Sequence, residues 1–124
     1  TENMDIKYEV ILTTQAKMEL NNIYKYISNF LFAPKAAQKF IDKFKTSILR
    51  LEHLPKSCSI ISEDINSKYE YRKLIINNYI VIYSIDEENR KVYIHRIIYQ
   101  KVNYLKLVLN HDFSKQFYFN GFYF

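Results

Sequence analysis

The sequence predicts an α+β fold, β-α-α-β-β-β, in which a helical hairpin packs on an antiparallel sheet, followed by a short C-terminal helix and an aromatic tail. Three observations carry this. Two stretches in the first half repeat apolar residues at helical spacing, with a proline at their junction; three strand-like runs follow; and the gaps between those runs are of turn length, which makes them a meander.

The elements follow in order. Lys7 to Leu12 mixes alternation with β-branched residues and is expected to be a strand. Thr13 or Thr14 then offers an N-cap hydroxyl, and Ala16, Leu20, Ile23, Ile27 and Leu31 share one helical face up to about Phe32 or Ala33. Pro34 suits the first turn of a second helix, whose stripe is Ala37, Phe40, Ile41, Phe44, Ile48 and Leu51 and whose end is marked by Pro55. The short connection makes the two an antiparallel hairpin. Lys56 to Lys68, with its serines, is expected to be a surface loop carrying Cys58. Strands are expected over Tyr69–Ile76, Tyr79–Ile85 and Lys91–Tyr99. Asn77-Asn78 forms the first turn and Asp86 to Arg90 the second. Residues 102–109 suit a short helix. Residues 110–124 hold five Phe and two Tyr, with Asn120-Gly121 as a turn signal; this tail either packs on the domain's own sheet or a twin subunit, or forms a docking surface. The expected organisation is one domain over 1–109 with an extension over 110–124.

Composition narrows the function. The 124 residues are 48% hydrophobic and 25% charged, as in a single globular domain. One Gly and two Pro exclude collagen-like and linker-like chains, and leave no material for a glycine-rich phosphate loop. A single cysteine excludes an internal disulfide and a thiolate zinc cluster. No apolar run reaches membrane-spanning length and no signal pattern opens the chain, so a cytoplasmic protein is expected. The net charge is +5; residues 1–66 carry nine basic and eight acidic side chains, residues 67–124 nine and five. A basic second half suits an anionic partner.

His53, His95 and His111 have no metal-ligand spacing, and no base is placed beside Cys58, so no metal or cofactor is implied. What remains is a cationic and phenolic set: Arg72, Lys73, Tyr79, Tyr83, Tyr93, His95, Arg96, Tyr99 and Lys101. Guanidinium forks suit phosphate or carboxylate, and tyrosines stack on bases or donate to oxygens. Strict alternation places Tyr93, His95, Ile97 and Tyr99 on one face and Val92, Ile94, Arg96 and Ile98 on the other. Arg96 is then either a buried arginine paired with a carboxylate or a functional cation; Tyr79 and Tyr83 are expected in the core.

Several pieces, in order and spacing, resemble the RelE/ParE superfamily of bacterial type II toxins. They are Thr14-x-Ala16 with Leu20, Ile23 and Tyr26-Ile27; Ala33-Pro34-x-Ala36-Ala37 before Phe40; Leu51 to Pro55; Tyr71-Arg72-x-Leu74; Asn78-Tyr79; Ile82-Tyr83; and Arg96 with Tyr104. The resemblance runs from Tyr8 to Leu107, and the long hairpin with its Ala-Pro-x-Ala-Ala entry is closer to the ParE-like branch. That branch implies a poison of DNA gyrase that traps the DNA cleavage complex and is neutralised by a cognate antitoxin, with Arg72, Lys73, Arg96 and Lys101 as target contacts. The RelE-like branch implies a ribosome-dependent mRNA endoribonuclease using Arg72, Arg96, Tyr99 and Lys101. A third reading is a degenerate, non-toxic antitoxin-binding member. The sequence departs from both branches at Ile80, where they usually carry Arg, and from the nuclease pattern at Tyr99 and Val102, where a His and a basic residue are usual; Ile80 and the aromatic tail favour the third reading.

Overall fold

The computed structural model describes residues 6–61 and 70–101. The expected C-terminal helix, the aromatic tail, Tyr104 and part of the loop around Asn66 lie outside them. The elements are β1 (Glu9–Leu12), α1 (Thr14–Lys25), α2 (Pro34–His53), β2 (Ser59–Ile60), β3 (Tyr71–Ile76), β4 (Tyr79–Asp86) and β5 (Lys91–Tyr99). A π-helical turn, Tyr26–Phe30, extends α1, and a 3-10 turn, Pro55–Ser57, follows α2. Among the described residues no helix is long and apolar enough to cross a membrane.

Thr13 is the N-cap of α1. Its hydroxyl accepts from Ala16 N–H and donates to the His95 carbonyl, tying the helix start to β5. Pro34 occupies the first turn of α2, where its missing N–H costs nothing. Most of both stripes faces the sheet: Ala16 and Ile23 of α1, and Ala37, Phe40, Phe44 and Leu51 of α2, are buried, whereas Leu31, expected on the first stripe, is exposed because the helical register ends in the π turn before it. Ala16, Ile23, Phe40, Phe44 and Leu51 form one core with Leu74, Ile76, Tyr79, Val81, Tyr83, Val92, Ile94 and Ile97.

The sheet runs β1-β5-β4-β3-β2 and is mixed. The meander is antiparallel as expected, with Asn77 at φ 53° in its first turn. However, β1 pairs parallel with β5, Glu9 opposite Lys91 through Leu12 opposite Ile94. The connection between them runs through both helices and β2 to β4, well beyond the dozen or so residues that a parallel pair needs. A two-residue strand, β2, also lies on the β3 edge within the segment expected to be loop.

One irregularity reorders the faces of β5. Ile82 pairs with Arg96 but Tyr83 with Ile94, so His95 is an inserted residue, a β-bulge. Ile97 therefore joins Val92 and Ile94 under the helices, instead of sharing a face with Tyr93 and His95 as strict alternation requires.

Candidate functional site

The structure separates the cationic and phenolic set into three groups. The first is a buried ion pair. Glu19 and Arg96 are 1% and 0% exposed. Arg96 Nε donates to Glu19 Oε2 at 2.7 Å, and Nη2 lies 2.6 Å from the same oxygen. The other oxygen, Oε1, accepts the Ile97 N–H at 2.8 Å. That amide belongs to the part of β5 past the end of β1, so one carboxylate closes a free strand edge and holds a guanidinium. Burial pushes the Glu19 carboxyl up from its ordinary value, and the Arg96 hydrogen bond and charge oppose that rise.

Glu19 was absent from the residues expected to matter. Its position contains the signal: it lies three residues after Ala16 and four before Ile23, on the apolar stripe itself. A carboxylate at such a position needs a buried partner, and Arg96 among apolar neighbours was the available one.

The second group centres on Arg72. Its Nη1 donates to the Cys58 carbonyl at 2.7 Å and the Lys56 carbonyl at 3.2 Å, and its Nη2 to Glu70 at 2.9 Å. The guanidinium therefore fastens the 3-10 turn and β2 to β3. Tyr83 assists from β4, donating to the Pro55 carbonyl at 2.6 Å from a fully buried position. Burial raises its phenol well above the ordinary value.

The third group lies on the sheet face away from the helices. Ser84 Oγ and His95 Nε2 share a hydrogen bond of 2.7 Å, and Tyr71 meets the imidazole edge-on at 5.5 Å between centroids. With Tyr93 and the turn Asp86 to Asn89 these residues line a cavity of about 720 Å³. Burial lowers the His95 pKa from 6.5 to about 4, so the ring is neutral near pH 7.

A stability prediction follows from this shift. The unfolded chain takes up a proton near pH 6.5, the folded one only near 4, so acidification through that window favours unfolding. Between pH 7 and pH 5 this one group is expected to remove about 2 kcal/mol of stability. In His95→Gln, which does not titrate, denaturant unfolding at the two pH values should show that much less difference.

At the C-terminal end of β5, Tyr99 packs edge-on against Tyr79 with centroids 5.8 Å apart, and Lys101 Nζ lies 5.9 Å from the Tyr99 ring centroid. Lys101 is exposed and Lys73 half-buried. Tyr79 and Tyr83 are core residues, as expected. Ile80, where the resembled family usually has Arg, is also buried. Among the described residues no group of His, Cys, Asp or Glu is arranged to hold a metal ion.

Comparisons with known proteins agree with the geometry. A family model described as the ParE toxin of the type II toxin-antitoxin system parDE matches residues 10–104. Among solved structures, a chain of the chromosomal ParDE toxin-antitoxin system from P. aeruginosa superposes with a TM-score of 0.58 at 18% identity. The match covers 73% of this chain and 92% of that one. A chain of the toxin-antitoxin complex RelBE2 from Mycobacterium tuberculosis gives a TM-score of 0.52, also at 18% identity, over 76% and 99%. At that identity the likeness concerns the fold. No curated protein matches significantly.

Proposed function

This chain belongs to the ParE family of type II toxin–antitoxin toxins, and we propose that it acts by binding, trapping the DNA cleavage complex of DNA gyrase without catalytic chemistry of its own. The observation supporting a binder over a nuclease is the internal use of both arginines. Arg96 is held by the buried Glu19, and Arg72 by the carbonyls of Lys56 and Cys58. Phosphodiester cleavage needs cations or acid–base groups delivered to the scissile phosphate. A guanidinium that closes its own fold is costly to redirect, because the carboxylate it leaves is buried. In this reading the arginines set the frame, and Lys73 and Lys101 contribute to the target contact.

The partner that restrains such a toxin is a cognate antitoxin; both solved neighbours above come from toxin–antitoxin systems. A flexible antitoxin segment would wrap the faces of the helical hairpin and the sheet and fold as it binds, and an acidic segment suits the basic second half of the chain. One arrangement keeps a ribosome-dependent nuclease as the second reading: Tyr99 and Lys101, both in the candidate nuclease set, lie side by side at the end of β5.

The two are separated by the order in which syntheses stop when the toxin is induced without antitoxin. A gyrase poison is expected to halt thymidine incorporation first, with methionine incorporation continuing, and co-expressed antitoxin to restore both. Methionine incorporation stopping first would favour the nuclease.

A further inference from the structure

The two helices bury the stripes they turn to the sheet, yet three consecutive large apolar side chains at their junction remain in solvent. Phe30 is 69% exposed, Leu31 51% and Phe32 86%. The backbone there is unusual twice. Tyr26–Phe30 is a π turn, and Phe32 sits at φ 54°, in the left-handed region that Gly or Asn tolerates and a bulky side chain does not. The junction is nonetheless closed: Leu31 N–H donates to the Tyr26 carbonyl and Ala33 N–H to that of Ile27, both at 3.0 Å. Tyr26 and Phe30 stack with centroids 5.0 Å apart and planes 15° from parallel.

Folding gains nothing from phenylalanine at position 32, since asparagine there would ease the backbone and remove an exposed ring together. Contiguous exposed apolar side chains mark contact surfaces. The knob is pre-formed, which lowers the entropy cost of docking.

Charge and shape narrow the occupant. Between Glu19 and Asp42 the chain has no carboxylate, while Lys25, Lys35 and Lys39 are all exposed. Phe30, Leu31 and Phe32 themselves have no side-chain donor for phosphate. A convex, ordered knob needs a concave seat. A disordered antitoxin segment instead supplies its own anchoring side chains and needs a groove, so the seat belongs to a folded partner.

We propose that the hairpin tip, Phe30 to Phe32, docks the toxin on the protein it inhibits, entering an apolar pocket rimmed by carboxylates. The inference rests on the reading of the chain as an active toxin with a protein target; on the gyrase reading, the seat is on the enzyme and not on its DNA.

The test compares wild-type toxin with Phe32→Asn and with the double variant Leu31→Gln/Phe32→Asn. Both variants are expected to melt no lower than wild type and to bind antitoxin unchanged. The toxin concentration that traps gyrase-linearised plasmid should rise about tenfold or more, the scale of losing an interface anchor, and growth arrest should be lost in the double variant. Variants that trap gyrase and arrest growth like wild type would overturn the proposal. So would tip-dependent binding of the toxin alone to a short DNA duplex or to phosphatidylglycerol vesicles. If wild type arrests growth without touching gyrase, the gyrase reading falls. The docking inference then stands where arrest depends on the tip, and falls where it does not or where wild type causes no arrest.

Discussion

Arg96→Ala is expected to destabilise the fold by about 3–5 kcal/mol, because it leaves the Glu19 carboxylate without its partner in an apolar interior. Domains of this size are stable by only about 5–15 kcal/mol, so the variant should unfold at markedly lower denaturant, and loss of activity in it would say nothing about target contact. The informative variant is Glu19→Gln/Arg96→Met. Its glutamine carbonyl can still accept the Ile97 N–H, and it exchanges the ion pair for neutral groups of similar volume, which is often close to neutral in stability. Most of the lost stability is expected to return, and with it toxicity. A well-folded, non-toxic double variant would instead assign Arg96 to the target surface.

Phe40→Ala is expected to cost a similar amount, about 3–5 kcal/mol, through the lost burial and the cavity left behind. Phe40 is 1% exposed and meets Tyr79 edge-on at 5.2 Å, and Tyr79 in turn packs on Tyr99. Three rings thus connect α2 to the ends of β4 and β5, next to Lys101. The variant should show its lower midpoint in denaturant titration. It should also shift the near-ultraviolet signal of the tyrosines, since Tyr79 loses its edge-on contact with Phe40. A smaller drop would mean that the site collapses around the smaller side chain, and an unchanged midpoint would contradict the placement of Phe40 in the core.

Much of this architecture was visible in local pattern. The stripes of both helices, Pro34 at a first turn, the Asn77-Asn78 reversal and the strand Lys91–Tyr99 all depend on side-chain periodicity or backbone preference within a few residues. What was not visible depends on distant segments. The parallel pairing of β1 with β5 joins residues about eighty positions apart, and nothing local in Glu9–Leu12 states which strand it will meet. The π turn at Tyr26–Phe30 and the bulge at His95 are register changes of one residue, which periodicity averages over. The bulge matters most for the site. It moves Ile97 into the helix-covered core with Val92 and Ile94, so the face that alternation assigned to Ile97 is not the one it occupies.

The cations of the candidate site were legible as residues but not as roles. Arg72 donates to main-chain carbonyls of a turn whose position no side-chain pattern encodes. Arg96 was open between a buried partner and a functional cation, and the carboxylate that decides the matter sits 77 residues earlier in α1. Lys73 and Lys101 remain as surface-side members of the set, and the π-turned aromatic tip adds a contact element that the helical reading of Leu31 had placed on the buried stripe.

The most direct test of a toxin that works by binding is the purified protein in a gyrase reaction on supercoiled plasmid, stopped with detergent and protease. Linear DNA accumulating with toxin concentration, and suppressed by antitoxin, is the expected result. Plasmid left fully supercoiled by folded toxin, with ribosome-bound mRNA cleaved by the same preparation, would contradict it.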